Sequence, residues 1–147
     1  RGVDRRFDFK IKTDKIVYLS DYAHHPEEIK QSILSMRALY EDKKITGIFQ
    51  PHLFTRTRDF YKEFAESLSL LDEVILTEIY PARELPIEGV SSCLIYDHLR
   101  PGIEKTLCQK EEILEILKHK KIEVLITLGA GDIENYVQPI CEILNKQ

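Results

Sequence analysis

Three of the five histidines, His24, His25 and His52, fall in short polar segments that each follow a β-rich run. Histidine titrates nearest to neutral pH, so such a group could contact a polar substrate, move a proton or ligate a metal. Metal ligation is the poorer fit. Neighbouring loop residues rarely aim at one ion, and no cysteine or acid stands at ligand spacing to His24-His25. Arg56 and Arg58 follow His52 in the same segment. A planar guanidinium can clamp a carboxylate or phosphate with two parallel hydrogen bonds, and a solvated arginine in a first helical turn is the plain alternative. Arg5-Arg6 carries the same ambiguity. Gly129-Ala130-Gly131 stands before a helical pattern, where backbone N–H groups could cradle a phosphate. A simple tight strand-to-helix turn fits the same three residues. There is no P-loop motif, no GxSxG and no HExxH, and no GxGxxG follows the first strand, so a nicotinamide-dependent oxidoreductase finds no support.

The elements that must hold these residues follow from periodicity. Strands are expected at residues 15–20, 44–49, 73–79 and 123–128, with a weaker one at 103–108. Helices are expected from Pro26, around Phe60–Leu71, at 91–99, at 111–119 and at 132–145. Pro26 suits a first helical position, and Glu27-Glu28 suit the helix dipole there. Ile29, Ile33, Met36 and Tyr40 make one stripe; Phe60, Phe64, Leu68 and Leu71 make another; Ile133, Tyr136, Val137, Ile140 and Leu144 make the last. Pro139 lies inside the last helix, where it would kink it. Strands alternating with helices imply right-handed crossovers and a mainly parallel sheet. Phe7, Phe9 and Ile11 alternate with polar residues, the pattern of an antiparallel edge strand with one wet face. The expected architecture is a Rossmann-like three-layer α/β/α sandwich in a single domain. Ligands of open α/β sheets bind outside the carboxyl ends of the strands. Four segments would meet at that edge: Asp21–Pro26, Gln50–Arg58, Tyr80–Glu84 and Gly129–Asp132.

Composition sets the remaining bounds. The chain has 147 residues, 43% hydrophobic and 31% charged, with net charge −4. That length suits one domain with a core of its own. The mildly acidic balance argues against broad nucleic-acid binding. The longest apolar runs are far too short to cross a membrane. Cys93, Cys108 and Cys141 form no CxxC pair, which argues against a zinc ribbon and suits buried small hydrophobes in a reducing compartment. The charged opening and the absence of an initiating methionine suggest a piece of a longer chain.

The polar segments, taken together, resemble one family. Gly2-Val3-Asp4-Arg5-Arg6-Phe7, Asp21-Tyr22-Ala23-His24-His25-Pro26-Glu27-Glu28-Ile29, Phe49-Gln50-Pro51-His52-Leu53-Phe54-Thr55-Arg56-Thr57, Tyr80-Pro81-Ala82-Arg83-Glu84-Leu85-Pro86-Ile87-Glu88-Gly89-Val90 and Gly129-Ala130-Gly131-Asp132-Ile133 look like the C-terminal domain of a Mur ligase. The motifs stand in the family's order and cover almost the whole chain. The resemblance implies ATP-dependent amide-bond formation through an acyl phosphate in the bacterial cytoplasm, during synthesis of peptidoglycan precursors. It implies ATP, Mg²⁺, L-alanine and UDP-N-acetylmuramate as ligands, with a tripeptide in place of L-alanine as the alternative. It implies N-terminal and central domains outside these residues, the central one supplying the P-loop and metal ligands. The fragment alone is then expected to fold without turning over. Residue by residue, Arg6 matches the arginine that reaches the ATP γ-phosphate and Asp21 the aspartate that holds the ribose. Tyr22, His24, His52 and Arg56 match positions near the incoming amino acid, Arg56 for its carboxylate. His25 matches helix entry. Leu53 stands where some relatives carry a second arginine, and Ser20 where an acid is common.

Overall fold

The structure is a computed structural model and describes residues 7–147. Six strands form one sheet: β1 (Asp8–Lys12), β2 (Val17–Asp21), β3 (Ile45–Phe49), β4 (Glu73–Thr77), β5 (Glu104–Cys108) and β6 (Val124–Leu128). Their order is β1-β2-β6-β3-β4-β5. β1 runs antiparallel to β2 at the edge, with an irregularity between Phe9 and Ile11. Every other pairing is parallel. Four helices connect the parallel strands, α1 (Pro26–Leu39), α2 (Phe54–Leu68), α3 (Cys93–Asp97) and α4 (Ile113–Lys118), and α5 (Val137–Leu144) follows β6.

Side chains alternate across a strand, so each face of a covered sheet needs its own apolar layer. Val17, Leu19, Val74, Leu76, Val124 and Ile126 pack with Ile29 and Ile33 of α1, Phe64 and Leu68 of α2 and Ile95 of α3. Tyr18, Ile48, Ile75 and Leu125 point the other way, onto Ile113 and Leu117 of α4 and Ile140 and Leu144 of α5. The result is the expected three-layer sandwich. Burying one such side chain is worth about 1.5–3 kcal/mol.

Three local expectations need correction. Phe60 does not join the buried stripe of α2 and is 42% exposed. Its φ of −129° and ψ of 16° break the helix there, so the turn before Phe64 is rotated off the core. Residues 132–145 do not form one kinked helix. A 3₁₀ turn covers Asp132–Tyr136, and the α-helix begins at Val137. Pro139 therefore sits in a first helical turn, where a missing N–H costs no intrahelical bond. Of the cysteines, Cys108 is buried and burial pushes its thiol up to about 11, but Cys93 is exposed.

Candidate functional site

The parallel strands β2, β3, β4 and β6 end on one edge, and the four polar segments meet there. β2 ends at Asp21, which is 2% exposed. Its Oδ1 accepts from the Ala23 N–H at 3.1 Å, and its Oδ2 accepts from the Ser32 hydroxyl of α1. The carboxylate thus orients the β2–α1 turn. A cavity of about 10 Å³, lined by Asp21, Tyr22, Thr127 and Gly129 among others, lies beside it. That is room for about one water.

The turn then delivers two histidines to different tasks. His25 occupies the N-cap of α1 with extended backbone, and Pro26 takes the first helical position. Glu28 Oε1 accepts from the backbone N–H of both His24 and His25, at 3.2 and 3.3 Å. His24 Nδ1 lies 3.0 Å from the Tyr22 carbonyl oxygen. A carbonyl can only accept, so Nδ1 carries the hydrogen and the neutral ring keeps its lone pair on Nε2.

β3 continues into Gln50, Pro51 and His52. A short parallel extension holds this segment to the β4 loop. Leu53 N–H donates to the Tyr80 carbonyl at 2.9 Å, and Tyr80 N–H to the Pro51 carbonyl at 2.8 Å. Leu53 caps α2 at φ 75° and ψ 137°. An L-residue held there stores about 1–3 kcal/mol of strain. Bonds on both sides impose it: Leu53 also accepts from the Thr57 N–H and hydroxyl, at 3.2 and 3.0 Å. The sharp turn places His52 and Arg56 side by side, with Arg56 Nη1 3.1 Å from His52 Nδ1. Burial, then the Arg56 charge, then that of His24 push the His52 pKa below its usual 6.5. The His25 pKa is lowered as well, first by burial and then by Arg56.

The rings form a continuous row across the sheet edge. Tyr22 meets His24 edge-on at 5.6 Å, His24 meets His52 edge-on at 6.0 Å, and His52 stacks on Tyr80 at 5.7 Å. Tyr80 in turn lies against Gly131, where an added Cβ would sit 2.6 Å from Tyr80 Cγ and from Gln50 Oε1. The glycine is required because neighbouring groups pack onto its backbone. The tight-turn reading of Gly129-Ala130-Gly131 therefore has direct support.

Several residues that bind this edge together were not singled out from sequence. Gln50, buried at 1% exposure, donates through Nε2 to Asp132 Oδ1 at 2.6 Å and accepts the Ile133 N–H at 2.9 Å. Lys110 Nζ pairs with Asp132 Oδ2. Glu84 caps the first turn of α2. A long polar residue directly after the mainly apolar strand β3 is the one signal that could have marked Gln50. Lys110 and Glu84 act across long stretches of chain: the Tyr80–Glu84 segment is expected at this edge, but no local signal marks its glutamate as a helix cap or marks Lys110 at all.

Of the residues proposed from the sequence, Tyr22, His24, His52 and Arg56 are brought together, and Asp21 stands beside them at the end of β2. Arg6 lies outside the described residues. Among the described residues, no group of three or more His, Cys, Asp or Glu could hold a metal ion.

A mainly parallel α/β sandwich with its polar and aromatic groups gathered at the strand ends defines a Rossmann-like α/β fold. The chain belongs to the Mur ligase family: the family model "Mur ligase, glutamate ligase domain" matches residues 5–133. A UDP-N-acetylmuramate–L-alanine ligase from Phocaeicola vulgatus is 79% identical over 147 residues, which is 100% of this chain and 32% of that protein. The enzyme of the same name from Parabacteroides distasonis is 59% identical over 146 residues, 99% of this chain and 31% of that protein. The chain thus spans about a third of the length of these curated relatives. The crystal structure of a UDP-N-acetylmuramate–alanine ligase from Thermotoga maritima matches with a TM-score of 0.76 and 29% identity, over 97% of this chain and 30% of that one. A murein peptide ligase from Psychrobacter arcticus matches with a TM-score of 0.75 at 18% identity, over 97% and 30%, and shares the fold.

Proposed function

We propose that residues 1–147 form the C-terminal, ATP- and amino-acid-binding domain of a ligase that joins L-alanine to UDP-N-acetylmuramate. The observation that carries this reading is 79% identity along the whole chain to a ligase of that name. The gathered His24, His52 and Arg56 cluster gives the amino acid a place to bind. The alternative, a recycling ligase adding a tripeptide, has structural neighbours of that kind at 18% and 21% identity.

In this reading the muramoyl carboxylate is first activated by ATP as an acyl phosphate. The amine of L-alanine attacks it, and phosphate leaves from the tetrahedral intermediate. Mg²⁺ would screen the phosphates during activation, and its ligands are expected in the central domain of the parent protein. This domain positions the nucleophile. Arg56 holds the alanine carboxylate by charge-assisted hydrogen bonds, each worth about 1.5–3 kcal/mol. His52, kept neutral, buttresses the guanidinium, and its Nε2–H remains as a donor. His24 presents the lone pair of Nε2 to an N–H of the substrate, with Tyr22 flanking it.

Arg6 is assigned to the ATP γ-phosphate, where a planar cation stabilises the charge of phosphoryl transfer. Asp21, oriented by Ala23 and Ser32, is assigned to the ribose hydroxyls. With both on one domain, ATP occupancy would favour domain closure, which keeps water from the acyl phosphate. A reaction that consumes ATP and a UDP-sugar fits the cytoplasm, where both are made. No described helix is long and apolar enough to cross a membrane.

The test uses the full-length parent protein with ATP, Mg²⁺ and UDP-N-acetylmuramate, following phosphate release. Release with L-alanine, sharply reduced by Arg6→Ala and Asp21→Ala, is expected. Release with the tripeptide alone would move the assignment to the recycling ligase.

A further inference from the structure

The loop after β4 reaches back to the start of α2. Glu84 Oε1 accepts from the Phe54 N–H at 2.5 Å and from the Thr55 N–H at 3.2 Å, and Oε2 accepts the Thr55 hydroxyl at 2.5 Å. The first turn of a helix leaves N–H groups unpaired and favours negative charge, which makes it a ready seat for an anion. Here the chain's own carboxylate fills the seat. The Thr55 hydroxyl, then the two backbone bonds and then the Arg58 charge hold its pKa below the ordinary glutamate value, so it is ionised at neutral pH. Arg56 is the next residue along the helix. The Glu84 charge also reaches His52, where it opposes the other influences on that ring.

A fixed negative charge, partly offset by Arg58, therefore stands at the helix turn that carries Arg56. We propose that Glu84 is a specificity-determining positioning residue. It sets the first turn of α2 so that Arg56 stays paired with His52, and its charge turns away amino acids that carry a second carboxylate. The substrate class that fits is a monocarboxylic α-amino acid with an uncharged side chain. This inference rests on the amino-acid role proposed for Arg56 and adds what the site refuses.

Two variants of the full-length parent protein separate charge from capping. Glu84→Gln keeps an acceptor for the helix N–H groups and removes the charge; Glu84→Asp keeps the charge and shortens the reach. L-Alanine-dependent phosphate release is measured against L-aspartate as competitor, and the ratio of the L-aspartate inhibition constant to KM for L-alanine is compared. Removing one charge from a half-buried site should lower that ratio about tenfold in Glu84→Gln, while Glu84→Asp keeps the wild-type ratio. A purely structural cap predicts the reverse order, with the aspartate variant the more disturbed, and that result would overturn the inference. An unchanged ratio in Glu84→Gln would overturn it too, leaving the alanine assignment intact. A wild-type protein that releases no phosphate with L-alanine overturns the assignment, and this inference with it.

Discussion

Arg56 Nη1 lies 3.1 Å from His52 Nδ1, and a guanidinium can only donate. His52 must therefore keep a lone pair on Nδ1, which fixes its neutral tautomer with the hydrogen on Nε2. Protonating His52 would remove the acceptor and set two cations face to face. The pair is thus a pH-sensitive contact at the centre of the proposed amino-acid site.

The titration of His52 follows from that geometry. Burial and the Arg56 charge lower its pKa, so its midpoint should fall below 6.5. Because folding lowers the pKa, the unfolded chain takes up the proton first. The contribution to stability is whole above pH 6.5 and declines as pH falls towards the folded midpoint. His25 shifts in the same direction and adds to the decline. Proton NMR of the imidazoles should show the His52 midpoint rise in Arg56→Gln, because one of its lowering influences is gone. A midpoint that stays put would contradict the pairing.

Arg56 should matter to substrate binding in the parent protein. Losing a charge-assisted bond worth about 1.5–3 kcal/mol corresponds to roughly a 10- to 150-fold rise in KM for L-alanine in Arg56→Ala. Arg56→Lys should recover only part of the loss, since an ammonium cannot form the planar fork. Steady-state kinetics at saturating ATP checks both variants.

Gln50 ties β3 to the turn after β6. Its side chain makes two bonds, to Asp132 Oδ1 and from the Ile133 N–H. Gln50→Leu keeps the volume and leaves the buried Ile133 N–H without that acceptor. The cost should be about 1–3 kcal/mol of folding free energy. Urea unfolding should show it as a lower midpoint with an unchanged slope.

Gly131 tests the close packing at the same turn. A methyl there meets Tyr80 Cγ and Gln50 Oε1 at 2.6 Å. Gly131→Ala should cost about 1–3 kcal/mol through overpacking. It should also displace Tyr80 from its stack on His52. A crystal structure of the variant with Tyr80 unmoved and stability unchanged would show that the turn yields more easily than this packing implies.

Much of this architecture was legible from local pattern. The stripe Ile29, Ile33 and Met36 marks α1, and all three side chains are fully buried. Pro26 with Glu27 and Glu28 marks its start. The alternation of Phe7, Phe9 and Ile11 foretold the antiparallel edge strand but not its single wet face: the irregularity between Phe9 and Ile11 sends Phe9 to one core layer and Ile11 to the other. The coarse site was legible too, since strand ends in an open parallel sheet share one edge whatever their order. Five coincident motifs then pointed to the family.

What the sequence determined by itself is therefore periodic or local: helix faces, the strand alternation, the caps and the short motifs. Tertiary structure alone decided the strand order, with β6 between β2 and β3, and everything that depends on it. Gly129-Ala130-Gly131 reads as a phosphate cradle or a plain turn from sequence, and only the fold shows Tyr80 and Gln50 packed on Gly131. Phe60 fitted a buried stripe until the local break in α2 turned it outward. Glu84 caps a helix 30 residues back along the chain, and Lys110 pairs with an aspartate 22 residues ahead. The physical reason is the same in each case. Periodicity reports how a segment meets its own axis, whereas a contact between distant segments exists only once the sheet has set their order and register.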